Sequence, residues 1–321
     1  MQTKTKGVVL ISVLLIVLLL SSVAVLIGNN YLISLKRAAY LEFQTTSLNL
    51  FRNIESLALR KINEELRLNN TFHNKKSALY LNDFIFETEK GRIIGHIDDV
   101  SSCFNINAMV QKTDANFIPN KKTIKAFKRL MELKRVDNSL VDEAVDQIID
   151  WIDLDSDPRA FGLEDYYYSG PLNTPKEYTG KRLFYSLEEL KSLPAIRLIG
   201  WNIFDDNFCT HPESKDFSIN INSLDIKHAY LFSSLFLDLT ISDSEYIIAN
   251  LPEDGVKNLG ELSKLFPSYE LDVQNGAIKF STNSFNLITR IEFEDYNSES
   301  ISRIYYDNNN SYIFSRIYNG I

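Results

Sequence analysis

Between residues 150 and 165 the chain reads Asp150-Trp151-Ile152-Asp153-Leu154-Asp155-Ser156-Asp157-Pro158-Arg159, and soon after Glu164-Asp165. Asp153, Asp155 and Asp157 alternate, and Glu164 stands eleven residues after Asp153. Carboxylates at the first, third, fifth and twelfth positions of a loop form the hard-oxygen ligand pattern of an EF-hand calcium site. The sixth position, where that loop turns tightly on glycine, is Pro158, and Asp165-Tyr166-Tyr167-Tyr168 is not a clear helix. This is not a regular EF-hand, but the spacing is compatible with an irregular calcium loop in which Asp165 or backbone carbonyls complete about six to eight oxygens. The alternative is a solvated acidic loop capping the helix before it.

Other reactive groups are sparse. Cys103 and Cys209 are the two cysteines, and no zinc-type spacing exists. In an oxidising compartment they could close a loop of about a hundred residues, worth roughly 4–5 kcal/mol in the chain-entropy model. The alternative is two buried free thiols. His73, His96, His211 and His228 lie in separate segments. There is no HExxH, no GxSxG and no glycine-rich phosphate loop, so nothing points to an enzyme. A net charge of −8 argues against a general nucleic-acid binder.

These groups must be held by elements the sequence also announces. Val8 to Ile27 is an uncharged apolar run of 20 residues, enough for one bilayer crossing as helix. It follows a polar leader carrying Lys4, Lys6 and Gly7. Lys36 and Arg37 lie beyond it, so charge alone does not orient the span. The helical pattern continues to Leu68 as an amphipathic stretch, with a kink expected at Gly28-Asn29-Asn30 and an end at Asn69-Asn70. Leu50, Phe51, Ile54 and Leu57 could serve packing between subunits or on the chain's own sheet. Ala78–Glu87 and Gly91–Asp98 read as a hairpin. A helical region spans roughly Lys121 to Ile152. Trp151 reads as core packing.

The middle third repeats itself. Asn105-Ile106-Asn107 returns as Asn220-Ile221-Asn222, Leu140-Val141-Asp142 as Ile241-Ser242-Asp243, and Ser186–Pro194 as Asn258–Pro267. Three matches in one order predict two copies of a small helical unit, with Asp142 and Asp243 as capping residues. The turns near Asn138-Ser139 and Thr240-Ile241 lack the glycines of a phosphate-binding hairpin. After Tyr269 the composition becomes strand-like: Tyr269–Gln274, Ala277–Ser281, Leu287–Phe293, Ile301–Tyr306 and Tyr312–Tyr318. The breaks fall at Asn275-Gly276, Asn283-Ser284, Asn297-Ser298 and Asn308–Asn310.

The stretch Asp98 to Ala108 (DDVSSCFNINA) and the acidic DWIDLDSDPR run resemble the minor pseudopilin K family of the type II secretion system. The basic leader ending in Gly7 before the apolar run is likewise similar to type IV pilin-like precursors. The resemblance implies an α+β fold. It would have a type IV pilin-like long N-terminal helix, a small antiparallel sheet, and a large inserted helical domain of two SAM-like or helix-hairpin-helix-like units. The divisions expected are leader 1–7, transmembrane part 8–27, periplasmic helix 28–70, first strands 71–100, insert 101–267 (units about 101–200 and 217–267), and closing strands 268–321. Prepilin peptidase would cut between Gly7 and Val8, with methylation of the new terminus.

The resemblance further implies a single-pass inner-membrane protein with a cytoplasmic N-terminus and a periplasmic body. The expected partners are minor pseudopilins I and J, with the major pseudopilin, the secretin and the secreted cargo as further candidates. The expected place is the tip of the pseudopilus, in support of its assembly and the export of folded proteins. Calcium is expected at Asp153, Asp155, Asp157, Glu164 and Asp165, and a disulfide between Cys103 and Cys209. Most pilins carry Glu at the fifth position after cleavage, where this chain has Ser12. A subunit without that carboxylate has nothing to pair with the terminal amine of a neighbour above it, which suits a tip. The rival reading is a signal-anchored periplasmic calcium-binding interaction module with no filament role.

Overall fold

The computed structural model describes residues 5–69, 71–172, 174–204, 207–271, 276–293 and 296–320. One helix, α1 (Thr5–Leu68), runs for 64 residues, about 96 Å at 1.5 Å per residue. Residues 8 to 42 are exposed all round. Their apolar window has a mean hydropathy of 3.1 and none of it is buried, so this half is a candidate membrane anchor. The helix passes through Gly28-Asn29-Asn30 without interruption. A Cβ built at Gly28 would meet nothing within 4 Å beyond the helix's own backbone, so no close approach requires glycine there. The expected end at Asn69-Asn70 agrees with Leu68 as the last helical residue, although Asn70 lies outside the described residues.

The second half of α1 has one buried face: Phe43, Ser47, Phe51, Ile54, Ala58, Ile62 and Leu66. Steps of three and four keep these residues on one stripe. The stripe lies on a five-stranded antiparallel sheet in the order β1 (Phe84–Thr88), β2 (Gly91–Asp99), β3 (Ser284–Phe293), β4 (Tyr296–Asp307) and β5 (Asn310–Asn319). Phe51 and Ile54 pack into this sheet, with Leu50 and Leu57 at its margin. Their partner is the chain's own sheet. A Cβ at Gly95 would stand 2.8 Å from Ile54 Cγ2, so glycine lets the helix settle on β2. Ser300, Ser302 and Thr289 are buried on the strands, small side chains that also admit close approach. Between helix and sheet, buried Glu55 accepts hydrogen bonds from Ser302 Oγ (2.6 Å), Arg316 Nε (2.8 Å) and Arg316 Nη2 (3.1 Å).

The contacts also fix direction. Phe43 stacks on Tyr296, Phe51 lies against Tyr318, and Ser311 Oγ donates to the carbonyl of Leu59. Moving up α1 therefore leads from the Phe293–Tyr296 end of the sheet toward the Asp99–Ser284 end. The 100–283 insert leaves from Asp99 and returns at Ser284, both at the end remote from the apolar half of α1. It has its own hydrophobic core, running from Phe104 to Ile278.

Local chemistry shifts several sequence boundaries. Ala78–Leu81 is a helical turn capped by Ser77, not strand. Arg135, at φ 60°, ends α2 (Lys121–Leu133) before α3 (Asn138–Ile152) begins, so the helical region is two helices. Asp137 caps α3 by accepting from Ser139 N at 2.8 Å. Asp142 lies inside the helix and pairs with Lys128, which corrects its expected capping role. Asp243 does close a capping box with Thr240, at the start of α4 (Ile241–Ala249). Ile278–Lys279 pairs in parallel with Ile219–Asn220 inside the insert and does not join the five-stranded sheet. The insert therefore extends past residue 267. Of the expected Tyr269–Gln274 strand and Asn275-Gly276 turn, residues 272–275 lie outside the described residues. Asn297 and Ser298 are within β4 rather than at a turn, whereas Asn308 and Asn309, at φ 50° and 62°, form the tight β4–β5 turn.

The repeat is visible as two matching clamps. Each unit opens with a two-residue strand and a 3₁₀ turn capped by Asn105 or Asn220. The second Asn then acts as a peptide mimic. Asn107 accepts from Phe184 N (2.8 Å) and donates to Phe184 O (2.9 Å). Asn222 accepts from Val256 N (2.8 Å) and donates to Val256 O (2.9 Å). Each clamped loop leads into the repeated Leu-rich turn, Leu187–Ser192 or α5 (Leu259–Leu265). Each unit closes on a short parallel strand, Phe208–Cys209 or Ile278–Lys279.

Candidate metal centre

The acidic loop is folded back on the end of α3. Asp150 and Asp153, one turn apart, are both buried. Asp150 Oδ2 accepts from Arg159 N at 3.0 Å, and Asp146 Oδ2 accepts from Phe161 N at 3.1 Å. A Cβ at Gly162 would lie 1.8 Å from Asp150 Oδ2, so only glycine lets the loop pass so close. The loop thereby delivers Glu164, 1% exposed, to Asp153. Behind it Trp151 stacks on Phe184 at 6.0 Å and meets Tyr168 edge-on, in the core role its flanking residues predict.

One carboxylate oxygen each from Asp153, Asp155 and Glu164 lie within 4.8 Å of one another. Two oxygens bound to one calcium, at about 2.3–2.6 Å each, stand at most about 5 Å apart, so the spacing fits. The oxygens are also short of partners. Asp153 Oδ1 and both Glu164 oxygens are buried with no hydrogen bond. A buried carboxylate left that way must protonate or hold a cation. Burial, then the charges of Asp155 and Asp150, push Asp153 up to about 6. Burial, then Asp150 and Asp153, push Glu164 up to about 7. Arg159 supplies one cation, 3.3 Å from Asp150 and 3.9 Å from Asp153, against four clustered acids. The donors are all oxygen, which suits calcium, magnesium or manganese rather than zinc or copper.

Two expected ligands fall outside this group. Asp165 accepts from Thr179 N (2.8 Å) and Thr179 Oγ1 (2.7 Å) and faces Lys181 at 3.5 Å. Burial would raise its pKa, but those bonds and that charge outweigh it and hold the carboxyl below its usual range. Asp157 is exposed, and its N–H caps Asp155 Oδ1 at 3.1 Å. The spacing argument missed Asp150, which borders the site. Its signal was present: three residues before Asp153 on a helix is the same face.

Cys103 and Cys209 are joined in a disulfide beside the Phe104–Phe208 pairing, so it staples the two ends of the first unit. His211 Nε2 lies 3.3 Å from both sulfurs. Burial pushes this imidazole down to about 4, so it is neutral. At the other end of the molecule, Ser12 Oγ donates to the carbonyl of Val8 at 2.8 Å, satisfying itself within α1.

The family described as type II secretion system, protein K matches residues 102–198, the segment holding the first unit and the acidic loop. Type II secretion system protein K of Aeromonas hydrophila is 25% identical over 268 residues, covering 79% of this chain and 80% of that protein. A putative protein K of Escherichia coli K12 is 24% identical and covers 79% and 77%. Over most of its length the chain is similar to type II secretion system protein K. The fold agrees. A chain of the crystal structure of the GspK-GspI-GspJ complex from enterotoxigenic E. coli superposes with a TM-score of 0.72 at 18% identity. The match covers 88% of this chain and 99% of that one.

Proposed function

We propose that this protein is a minor pseudopilin of the type II secretion system that caps the pseudopilus, in complex with minor pseudopilins I and J, and there supports assembly and the export of folded proteins without catalysis. The observation that carries the reading is the placement of the insert. Both of its connections leave the end of the sheet remote from the apolar half of α1. With that half in the inner membrane and the N-terminus cytoplasmic, the insert is the outermost part of the subunit. Any neighbour stacked above would meet it first. Ser12 supports the same placement, since it offers no carboxylate to the terminal amine of a subunit above. The GspK-GspI-GspJ complex, whose chain shares this fold, supports I and J as partners.

Calcium is held by Asp153, Asp155 and Glu164, with Asp150 and Arg159 behind them. The ion neutralises buried carboxylates and so adds its binding energy to the stability of the first unit. It reacts with nothing.

The reading requires removal of the leader. Intact mass of the chain expressed with and without a prepilin peptidase tests this. A new N-terminus at Val8, methylated or not, is the expected result. A chain that keeps Met1 to Gly7 in the presence of the peptidase overturns the filament role.

A further inference from the structure

The insert carries a cationic face on α2, apart from the acidic loop that follows α3. The chain as a whole is acidic, with 34 Lys and Arg against 42 Asp and Glu. Residues 121–135 reverse that balance: Lys121, Lys122, Lys125, Lys128, Arg129, Lys134 and Arg135 against the single carboxylate of Glu132. At 100° per residue the first five fall within an arc of about 120° on α2. Lys121, Lys122, Lys125 and Lys128 are exposed. Lys128 pairs with Asp142, and Lys122 reaches Asp216 only at 3.9 Å. Lys121 and Lys125 have no ion-pair partner among the described residues.

Beside this stripe opens a cleft of about 170 Å³. Lys122, Lys125 and Arg129 form its rim, and Leu235, Phe236 and Leu237 face them. No carboxylate lines it among the described residues. Leu237 is 61% exposed, and Arg129 pairs with Glu132 at 2.9 Å and donates to the carbonyl of Leu237 at 3.4 Å, which fixes this wall of the cleft. A cavity of about 150 Å³ accommodates benzene, so the cleft takes one aromatic or leucine side chain.

We infer that this face is a docking site for an acidic polypeptide segment of a protein partner. One bulky apolar side chain enters the cleft, and flanking carboxylates meet Lys121, Lys122 and Lys125. Charge complementarity selects the partner's sign, and the socket supplies the central desolvated anchor. A nucleic acid fits less well, because the cationic stripe ends within one 13-residue helix on an acidic protein.

The test uses the full chain in lipid nanodiscs. The probe is a fluorescein-labelled peptide with one central phenylalanine between runs of glutamate, followed by fluorescence anisotropy. Saturable binding is expected, weakened about tenfold or more by Lys125→Glu, by Ala126→Trp, which fills the socket, and by alanine in place of the probe's phenylalanine. An unchanged melting temperature and calcium response show that each variant is folded. With benzoylphenylalanine at the central position, the photocrosslink is expected on residues 235–237. Three results would each overturn the proposal: no saturable binding, binding indifferent to both variants, or equal competition by a single-stranded oligonucleotide of matching charge.

Discussion

At the scale of single residues, the decisive quantity is unneutralised charge around Asp153 and Glu164. Both carboxyls are buried, and both are raised toward neutrality, first by burial and then by neighbouring acids: Asp155 and Asp150 act on Asp153, and Asp150 and Asp153 act on Glu164. A folded carboxyl raised above its unfolded value keeps a proton that the unfolded chain releases. The stability it confers is therefore present below about pH 4 and lost as pH climbs through about 6 to 7. Calcium needs the deprotonated oxygens, so it restores what the rise in pH removes. Thermal melts of chelator-treated protein are expected to show a falling Tm from pH 5 to 7.5. The calcium-induced rise in Tm is expected to grow over the same interval. At a hundredfold excess over Kd, calcium contributes about 2.7 kcal/mol. For an insert of this size that is roughly 5–10 °C. Glu164→Gln keeps the shape but removes the charge, so it should abolish most of the calcium shift while leaving the metal-free Tm equal or higher at pH 7.5. Asp165→Asn should leave the calcium shift largely intact and lower stability in both conditions, because Asp165 holds Thr179 and Lys181. A calcium shift lost in Asp165→Asn and kept in Glu164→Gln would reverse the ligand assignment.

At the scale of elements, the two Asn clamps make the repeat a mechanical statement. Asn107→Ala strips Phe184 N–H and O, and the carbonyl of His211, of their buried partner. Asn222→Ala does the same to Val256. Each buried group left unpaired costs about 1–3 kcal/mol. The outcomes should still differ, because Cys103–Cys209 staples the first unit and the second has no such bond among the described residues. Hydrogen exchange is expected to accelerate across 256–265 in Asn222→Ala more than across 184–192 in Asn107→Ala. Reducing the disulfide should erase that difference. These elements were readable from sequence to an uneven degree. The long helix, the hairpin and the last three strands announce themselves by period and by turn residues, as Asn308-Asn309 does. The Asn-Ile-Asn repeat pointed to paired units. The end of α2 was hidden because Arg135 adopts a left-handed conformation with no glycine to signal it. Ile278–Lys279 reads as sheet because strand propensity says nothing about which strand is its partner. Of the expected carboxylates, the structure gathers Asp153, Asp155 and Glu164 into one cluster, whereas Asp165 turns away to Thr179 and Lys181. Its turning away depends on Thr179, fourteen residues away, a contact no local motif records.

At the scale of the whole molecule, two features favour the tip, and they can be separated. On the tip reading, the insert, which leaves the sheet at its Asp99–Ser284 end, would obstruct a subunit above. Ser12 would leave that subunit's terminal amine without a carboxylate to pair with. In hydrocarbon an unpaired carboxylate is costly, so Ser12→Glu should be tolerated only where a partner amine stands within reach. The hydroxyl it replaces is already satisfied by the carbonyl of Val8, so the substitution removes no contact between elements. If Ser12 is the controlling feature, Ser12→Glu should place the subunit along the filament shaft, where crosslinks from α1 to other copies of protein K become detectable. If the insert controls placement, the variant should remain one per filament end. In that case, replacing residues 100–283 with a short turn between Asp99 and Ser284 should release the subunit into the shaft. The sheet can bear that deletion because β2 and β3 are already neighbours, paired from Gly91–Phe293 through Asp99–Phe285. The core beneath α1 contains no residue of the insert. Retention at the filament end by the variant carrying both changes would show that neither feature sets the position, and the tip assignment would then rest on contacts with the partner pseudopilins.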